Sequence, residues 1–356
     1  MRLRREITVL LLIFCLITGL ITASAGFTGV AAQSKSDEKK EKKAKKADKD
    51  KDDDKDDGKD DDSDDPRAGR PILWQEPRDI ESRDLFHGQG GAEGAPNPSG
   101  RFTFVKRSSS GTSEKIIVDD EKGRSWTVKF GAEAKPETAA SRIVWAAGYH
   151  VDPAYFVDRT HIEGRGGFDI WDVRFERRDD GLKELDQWSW MANPFMGTRE
   201  LQGLKVLMAL INNWDLKDEN NKVSRPNKES GGDKTLRVYY VSDLGGTLGS
   251  TGNAIRKFPG FGNAPAGSKG DPNGYANQRF IDGVENGQVV FHYEGKNPKA
   301  LEGVTVENAR WMGGILSRLS DKQLSDAFRA GGFSDSETGI YVRAMRDRIN
   351  QLNNLK

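Results

Sequence analysis

Hydrophobic positions alternate with polar ones along residues 101–106 (Arg-Phe-Thr-Phe-Val-Lys) and again along 125–130 (Ser-Trp-Thr-Val-Lys-Phe). Between them, residues 115–118 are Lys-Ile-Ile-Val, rich in β-branched side chains. Period-two alternation and β-branching predict three strands. The intervening segments, 108–113 and 119–123, have turn compositions, so an antiparallel meander is expected. After Pro136 the period changes. Ala140, Ile143, Val144 and Ala147 recur at helical spacing, with Pro136 just ahead of the first turn and Gly148 as the stop.

A strand is predicted over 168–175, a helix with its core at 201–211, and a strand over 236–241 ending in Ser242-Asp243-Leu244-Gly245-Gly246. The remainder reads as helices at 306–319, 321–330 and 338–352. The fold class is therefore α+β, two-lobed: a β-rich N-lobe over about 101–180 and a mainly helical C-lobe over about 181–356. Residues 67–100, rich in Gly, Pro and Asp, read as an irregular arm.

The first residues change the picture of where the domain works. Met1-Arg2-Leu3-Arg4-Arg5 is basic, residues 7–21 are apolar, and small residues follow at Ala23-Ser24-Ala25 and Ala31-Ala32. This is the layout of a secretory signal, ending at Ala25 or Ala32, or of an uncleaved anchor. Either topology places the domain outside the cytoplasm, periplasmic or secreted, with membrane contact only if the segment is retained. Residues 33–66 are a Lys/Asp-rich tract with almost no apolar side chain, and a disordered spacer is expected there.

Composition mostly excludes. Cys15, inside the apolar run, is the sole cysteine, so disulfides and thiolate chemistry are ruled out for the domain. The four histidines have no metal-ligand spacing, and 55 basic against 55 acidic residues give no basic surplus for nucleic acid. A monomer is expected.

Four elements then stand in a meaningful order: Lys129 on a strand, Glu137 opening a helix, Asp215 with Asn220 after a helix, and Asp243-Leu244-Gly245 at a strand end. Phosphoryl transfer from ATP needs a lysine on the phosphates and an acid to orient it. It also needs a carboxylate beside the acceptor hydroxyl, and Asn and Asp oxygens for Mg²⁺. Kinases place an Asp and an Asn five positions apart and follow the next strand with Asp-x-Gly, as Asp215/Asn220 and Asp243-Leu244-Gly245 do here.

The segments around these residues resemble the secretory-pathway kinases of the four-jointed and Golgi casein kinase group. Residues 136–149 are similar to that group's αC helix, 207–215 to the helix leading into its catalytic loop, and 243–249 to its metal-binding turn. HipA-like kinases share the skeleton more distantly. The resemblance implies an atypical protein-kinase-like fold, with Lys129 as the nucleotide lysine, Glu137 as its partner and Asp215 as the catalytic Asp. Asn220 and Asp243 would be ligands of Mg²⁺ or Mn²⁺, and Ser110 and Gly111 the candidate nucleotide loop. The acceptor would be a hydroxyl on a protein, glycan or small molecule. Two other readings stay open: a kinase-like binding module without turnover, and a secreted glycan-binding protein presenting Trp188 and Trp190. Core packing is the expectation for Trp145, Trp171, Trp188, Trp190, Trp214 and Trp311, with the glycan platform an alternative for Trp188 and Trp190.

Overall fold

The alternating segments do form strands, and they close on themselves. A computed structural model describes residues 64–108, 115–178, 181–227, 230–252 and 267–356, all within the compact unit Lys59–Lys356. The expected export segment and most of the charged tract lie outside the described residues.

The arm begins with β1 (Arg70–Ile72) and includes a single helical turn, α1 (Gly91–Gly94). The meander is β2 (Phe102–Ser108), β3 (Lys115–Asp120) and β4 (Ser125–Phe130), followed by α2 (Ala134–Ala146), β5 (His150–Val151), β6 (Ala154–Glu163) and β7 (Phe168–Arg177). Strands β2-β3-β4-β7-β6 form a closed barrel. Closure depends on a parallel pairing of Phe102 with Ile162 and Thr103 with Glu163, a non-local contact with no sequence signature. The inward positions Phe102, Ile116, Val118, Trp126, Val128, Val157, Val173 and Phe175 fill the barrel as a core of its own.

Helix α2 starts at Ala134, so Pro136 falls inside its first turn rather than ahead of it. Its apolar face (Ala139, Ala140, Ile143, Val144) does not join the barrel core; it joins the larger one. After β8 (Leu182–Gln187), which contributes no core side chain, that core is built by α3 (Arg199–Leu210), β9 (Asn221–Pro226), β10 (Leu236–Val241), α4 (Pro272–Asn277), the hairpin β11 (Ile281–Glu285) and β12 (Gln288–Phe291), α5 (Val306–Ser317), α6 (Asp321–Ala330) and α7 (Asp335–Asn353). The order β1-β10-β9-β8 makes a second sheet, and β5 pairs with β10 in parallel. Thr198 caps α3, and capping boxes start α6 (Ser320/Gln323) and α7 (Ser334/Glu337), fixing where each helix begins.

The arm ties these pieces together. Trp74 Nε1 donates to Ala147 O (2.8 Å), Gln323 Nε2 to Ile80 O (2.7 Å), and Arg318 pairs with Glu81 (2.7 Å). Gly148 ends α2 at φ +93°, and any Cβ there would strike Gln75 O, so glycine is required where the arm crosses the helix end. Among the described residues no helix is long and apolar enough to cross a membrane.

Candidate active site

Strand alternation decides which side chains of the barrel wall face outward. Trp126 and Val128 point into the barrel, so Lys129 points out, toward the mouth between the two cores. There its Nζ meets Asp243 Oδ1 at 2.7 Å and Glu137 Oε2 at 3.7 Å. Three chain segments far apart in sequence thus converge on one ammonium group.

Each partner has a local reason for its place. Glu137 lies in the first turn of α2, the favourable end of the helix dipole for a carboxylate. Asp243 follows the end of β10 in a left-handed conformation, φ +54°, which turns its carboxylate back toward the barrel. Burial pushes the Asp243 carboxyl up, but the neighbouring Lys129 charge prevails and holds it below its ordinary value. For Lys129 burial works against the charged form, and the Glu137 and Asp243 charges outweigh it and raise the pKa.

Asp215 sits just beyond α3 on a loop welded to the Asp243 turn. Trp214 N donates to Gly246 O (3.0 Å), and Leu248 N to Ile211 O (2.8 Å). From α7, Arg348 donates to Leu210 O and Asn212 Oδ1, both at 2.8 Å, and so anchors the loop from below. Asn220 closes the loop, donating Nδ2 to Asp215 O (2.8 Å) while its carbonyl accepts from Ser242 N (2.8 Å), next to Asp243. Lys129, Glu137, Asp215, Asn220 and Asp243 therefore form one connected array. Ser110 and Gly111 lie outside the described residues.

Among the described residues no cluster of three or more His, Cys, Asp and Glu is arranged to hold a metal. Asn220 and Asp243 each carry an oxygen of the kind a hard cation takes. Mg²⁺ commonly takes one or two protein oxygens and fills its octahedron with phosphate oxygens and water. The Asp243 side chain is 43% exposed, and Lys129 engages its Oδ1 alone.

Four site residues escaped the reading of the sequence. Lys217, two residues after Asp215, pairs with Asp215 Oδ2 at 3.0 Å; the Asp215-Leu216-Lys217 spacing was its signal. Lys296 pairs with Asp215 Oδ1 at 2.8 Å, delivered by a segment that runs parallel beside the loop, and nothing local pointed to it. Arg174 on β7, in register with Lys129, is 2% exposed and bonds Glu137 at 2.8 Å and Glu176 at 2.6 Å. Lys115 lies opposite Lys129 on β3.

Two tryptophan readings need correction. Trp188 and Trp190 present no platform for a glycan: they are 4% and 1% exposed and pack edge-to-face in the larger core. They follow β8 and pack as apolar bulk beside β10, where Trp188 Nε1 donates to Tyr240 O and its ring meets Tyr239. Trp171, expected in the core, is instead 57% exposed with Arg159 over its ring, because its position on β7 faces away from the barrel interior.

A lysine on the third barrel strand, a helix whose first-turn acid reaches it, an Asp–Asn loop and an Asp-x-Gly turn together give the element order of a protein-kinase-like fold. No known family matches the chain by sequence, and no curated protein does. Among solved structures it is similar to the Helicobacter pylori proinflammatory kinase CtkA (TM-score 0.43, 13% identity, covering 72% of this chain and 97% of that one). It is also similar to the Golgi casein kinase (0.37, 10%, 78% and 76%). A third likeness is to the Rio2 kinase of Chaetomium thermophilum in its ADP/Mg²⁺-phosphoaspartate complex (0.30, 13%, 70% and 72%). These likenesses are distant, and the site stands on its own geometry.

Proposed function

We propose that this cleft binds a nucleoside triphosphate, ATP or a close analogue, with Mg²⁺ or Mn²⁺, and transfers the terminal phosphoryl group to a hydroxyl on a protein, glycan or small molecule. The observation that carries the reading is the convergence of Asp243 and Glu137 on Lys129. In this reading the N-terminal segment places the reaction outside the cytoplasm, so the donor nucleotide must reach it there.

Lys129 holds the α/β-phosphates, and Glu137, itself fixed by Arg174, keeps that lysine in place. Asn220 and Asp243 would hold the metal, which would supply charge neutralisation at the phosphates. Asp215 orients the acceptor hydroxyl and takes its proton as the oxygen bonds to the terminal phosphorus and the bridging oxygen leaves with the nucleoside diphosphate. Lys217 sits where it can offset charge on the transferred group.

Calorimetry with ATP and either metal, alongside single-turnover transfer assays, tests this. Wild type should bind, Asp243→Ala should lose binding, and Asp215→Asn should keep binding but lose transfer. Absence of binding with both metals contradicts the proposal. A second reading, nucleotide binding without turnover, is favoured by one observation: Lys217 and Lys296 already pair with the two oxygens of Asp215, so an acceptor hydroxyl must compete with them. An Asp215→Asn variant indistinguishable from wild type would select it.

A further inference from the structure

Lys115 begins β3 and is paired in register with Lys129 across the antiparallel β3–β4 ladder. Directly opposed residues of such a ladder project from the same face. The next residues settle which face that is: Ile116 and Val118 lie in the barrel core with Trp126 and Val128, so Lys115, like Lys129, faces the cleft. Like charges at opposed positions repel and destabilise the sheet. Lys129 is compensated by Asp243 at 2.7 Å and Glu137 at 3.7 Å. Lys115 has no carboxylate within ion-pair distance among the described residues. It is half-buried, and burial first, then the Lys129 charge, lowers its pKa. Asp243 and Glu176 offset this only from beyond ion-pair distance, so a cation kept there is a liability to the free fold and an asset to one that receives an anion.

We propose that Lys115 is a second phosphate-binding lysine of the cleft, which makes the site select a nucleotide by the length and charge of its phosphate tail. Lys129 is already engaged by two carboxylates, whereas Lys115 brings to the same wall a donor with no direct ion pair. Its ligand class is a polyphosphate ester, with the triphosphate favoured over the mono- and diphosphate. This rests on the reading of the cleft as a nucleotide site.

The test is calorimetry of ATP, ADP and AMP, each with Mg²⁺, on the full-length chain and on Lys115→Met and Lys115→Arg. A lost charge-assisted contact corresponds to roughly tenfold or more in affinity. Lys115→Met should therefore weaken ATP by about tenfold or more and AMP by less than about twofold, and Lys115→Arg should retain the preference for ATP. In the absence of nucleotide, Lys115→Met should melt no lower than wild type, because it removes repulsion. A purely structural lysine would instead lower the melting temperature and weaken all three nucleotides alike. That result, or unchanged ATP affinity in Lys115→Met, overturns the proposal. If wild type binds none of the three, the nucleotide reading itself fails and Lys115 falls with it; if Lys129→Ala abolishes binding while Lys115→Met does not, only Lys115 is refuted.

Discussion

The barrel and the larger core meet at the cleft but supply it with different things. Lys129, Arg174 and Lys115 belong to a wall with its own sealed core of aromatic and β-branched side chains. Glu137 belongs to a helix whose apolar face is buried with the C-terminal helices, in the same core as the residues flanking Asp215 and Asp243. Lys129, Arg174 and Lys115 thus sit on one core, and Glu137, Asp215 and Asp243 on the other. Contacts such as Lys129–Asp243 and Arg174–Glu137 are made across the boundary between two packed bodies.

The contrast breaks first at Arg174. Replacing it with Met leaves Glu137 and Glu176 buried with their principal cation gone, and removing one partner of such a set costs about 3–5 kcal/mol. Urea unfolding of Arg174→Met should show a loss of that size.

His150, on the short strand between α2 and the barrel strand β6, sharpens the same boundary. Burial lowers its pKa to about 4, and its Nε2 has no hydrogen-bond partner. An imidazole depressed from its ordinary value near 6.5 is neutral in the fold, so the unfolded chain binds the extra proton between about pH 6.5 and 4. Stability should therefore fall as pH drops through that window, by about 3 kcal/mol in total. His150→Gln should flatten the dependence by that amount.

Arg348 tests the larger core alone. It is buried and donates to Leu210 O, Asn212 Oδ1 and Tyr275 O, each at 2.8 Å. Arg348→Met takes the guanidinium from Asn212 Oδ1 and Tyr275 O, while Leu210 O keeps the Tyr275 hydroxyl, and should destabilise by about 2–3 kcal/mol. In a nucleotide-binding assay the same variant should weaken binding, because the loop bearing Asp215 loses its anchor.

The smallest effect is at Asp243. Its partly exposed carboxylate is screened, so Asp243→Asn should cost about 1 kcal/mol or less in stability. Its pKa is lowered in the fold, so its contribution is complete above the ordinary carboxylate value near ~4 and vanishes as pH falls through the lowered one. Lys129, raised, contributes fully below its ordinary value near ~10.4 and is lost only above it. The pair should accordingly hold across the neutral range, and unfolding of Asp243→Asn against wild type should differ least at acid pH.

Much of this was legible because its signals are local. Alternation placed Lys129 on an outward face, a helix start placed Glu137, and spacing alone singled out Asp215 with Asn220 and Asp243 with Gly245. Arg174 escaped because an arginine alternating with apolar neighbours in residues 170–175 is what a solvated strand face looks like; only barrel closure buries it. Strand β9 escaped for a related reason. Asn221, Ser224 and Arg225 are polar yet buried, and Arg225 is neutralised by Asp64 at 2.6 Å, more than 150 residues away. Lys296 came from a segment whose own sequence says nothing of the loop it lies beside. Long-range pairing, rather than propensity, decided each of these.

The claim that the two cores share one nucleotide site is tested most directly by hydrogen exchange with and without ATP and Mg²⁺. The account predicts that nucleotide slows exchange together in β4 around Lys129 and in the turn after Asp243, one segment from each body. Protection confined to one of them, or absent from both, would contradict it.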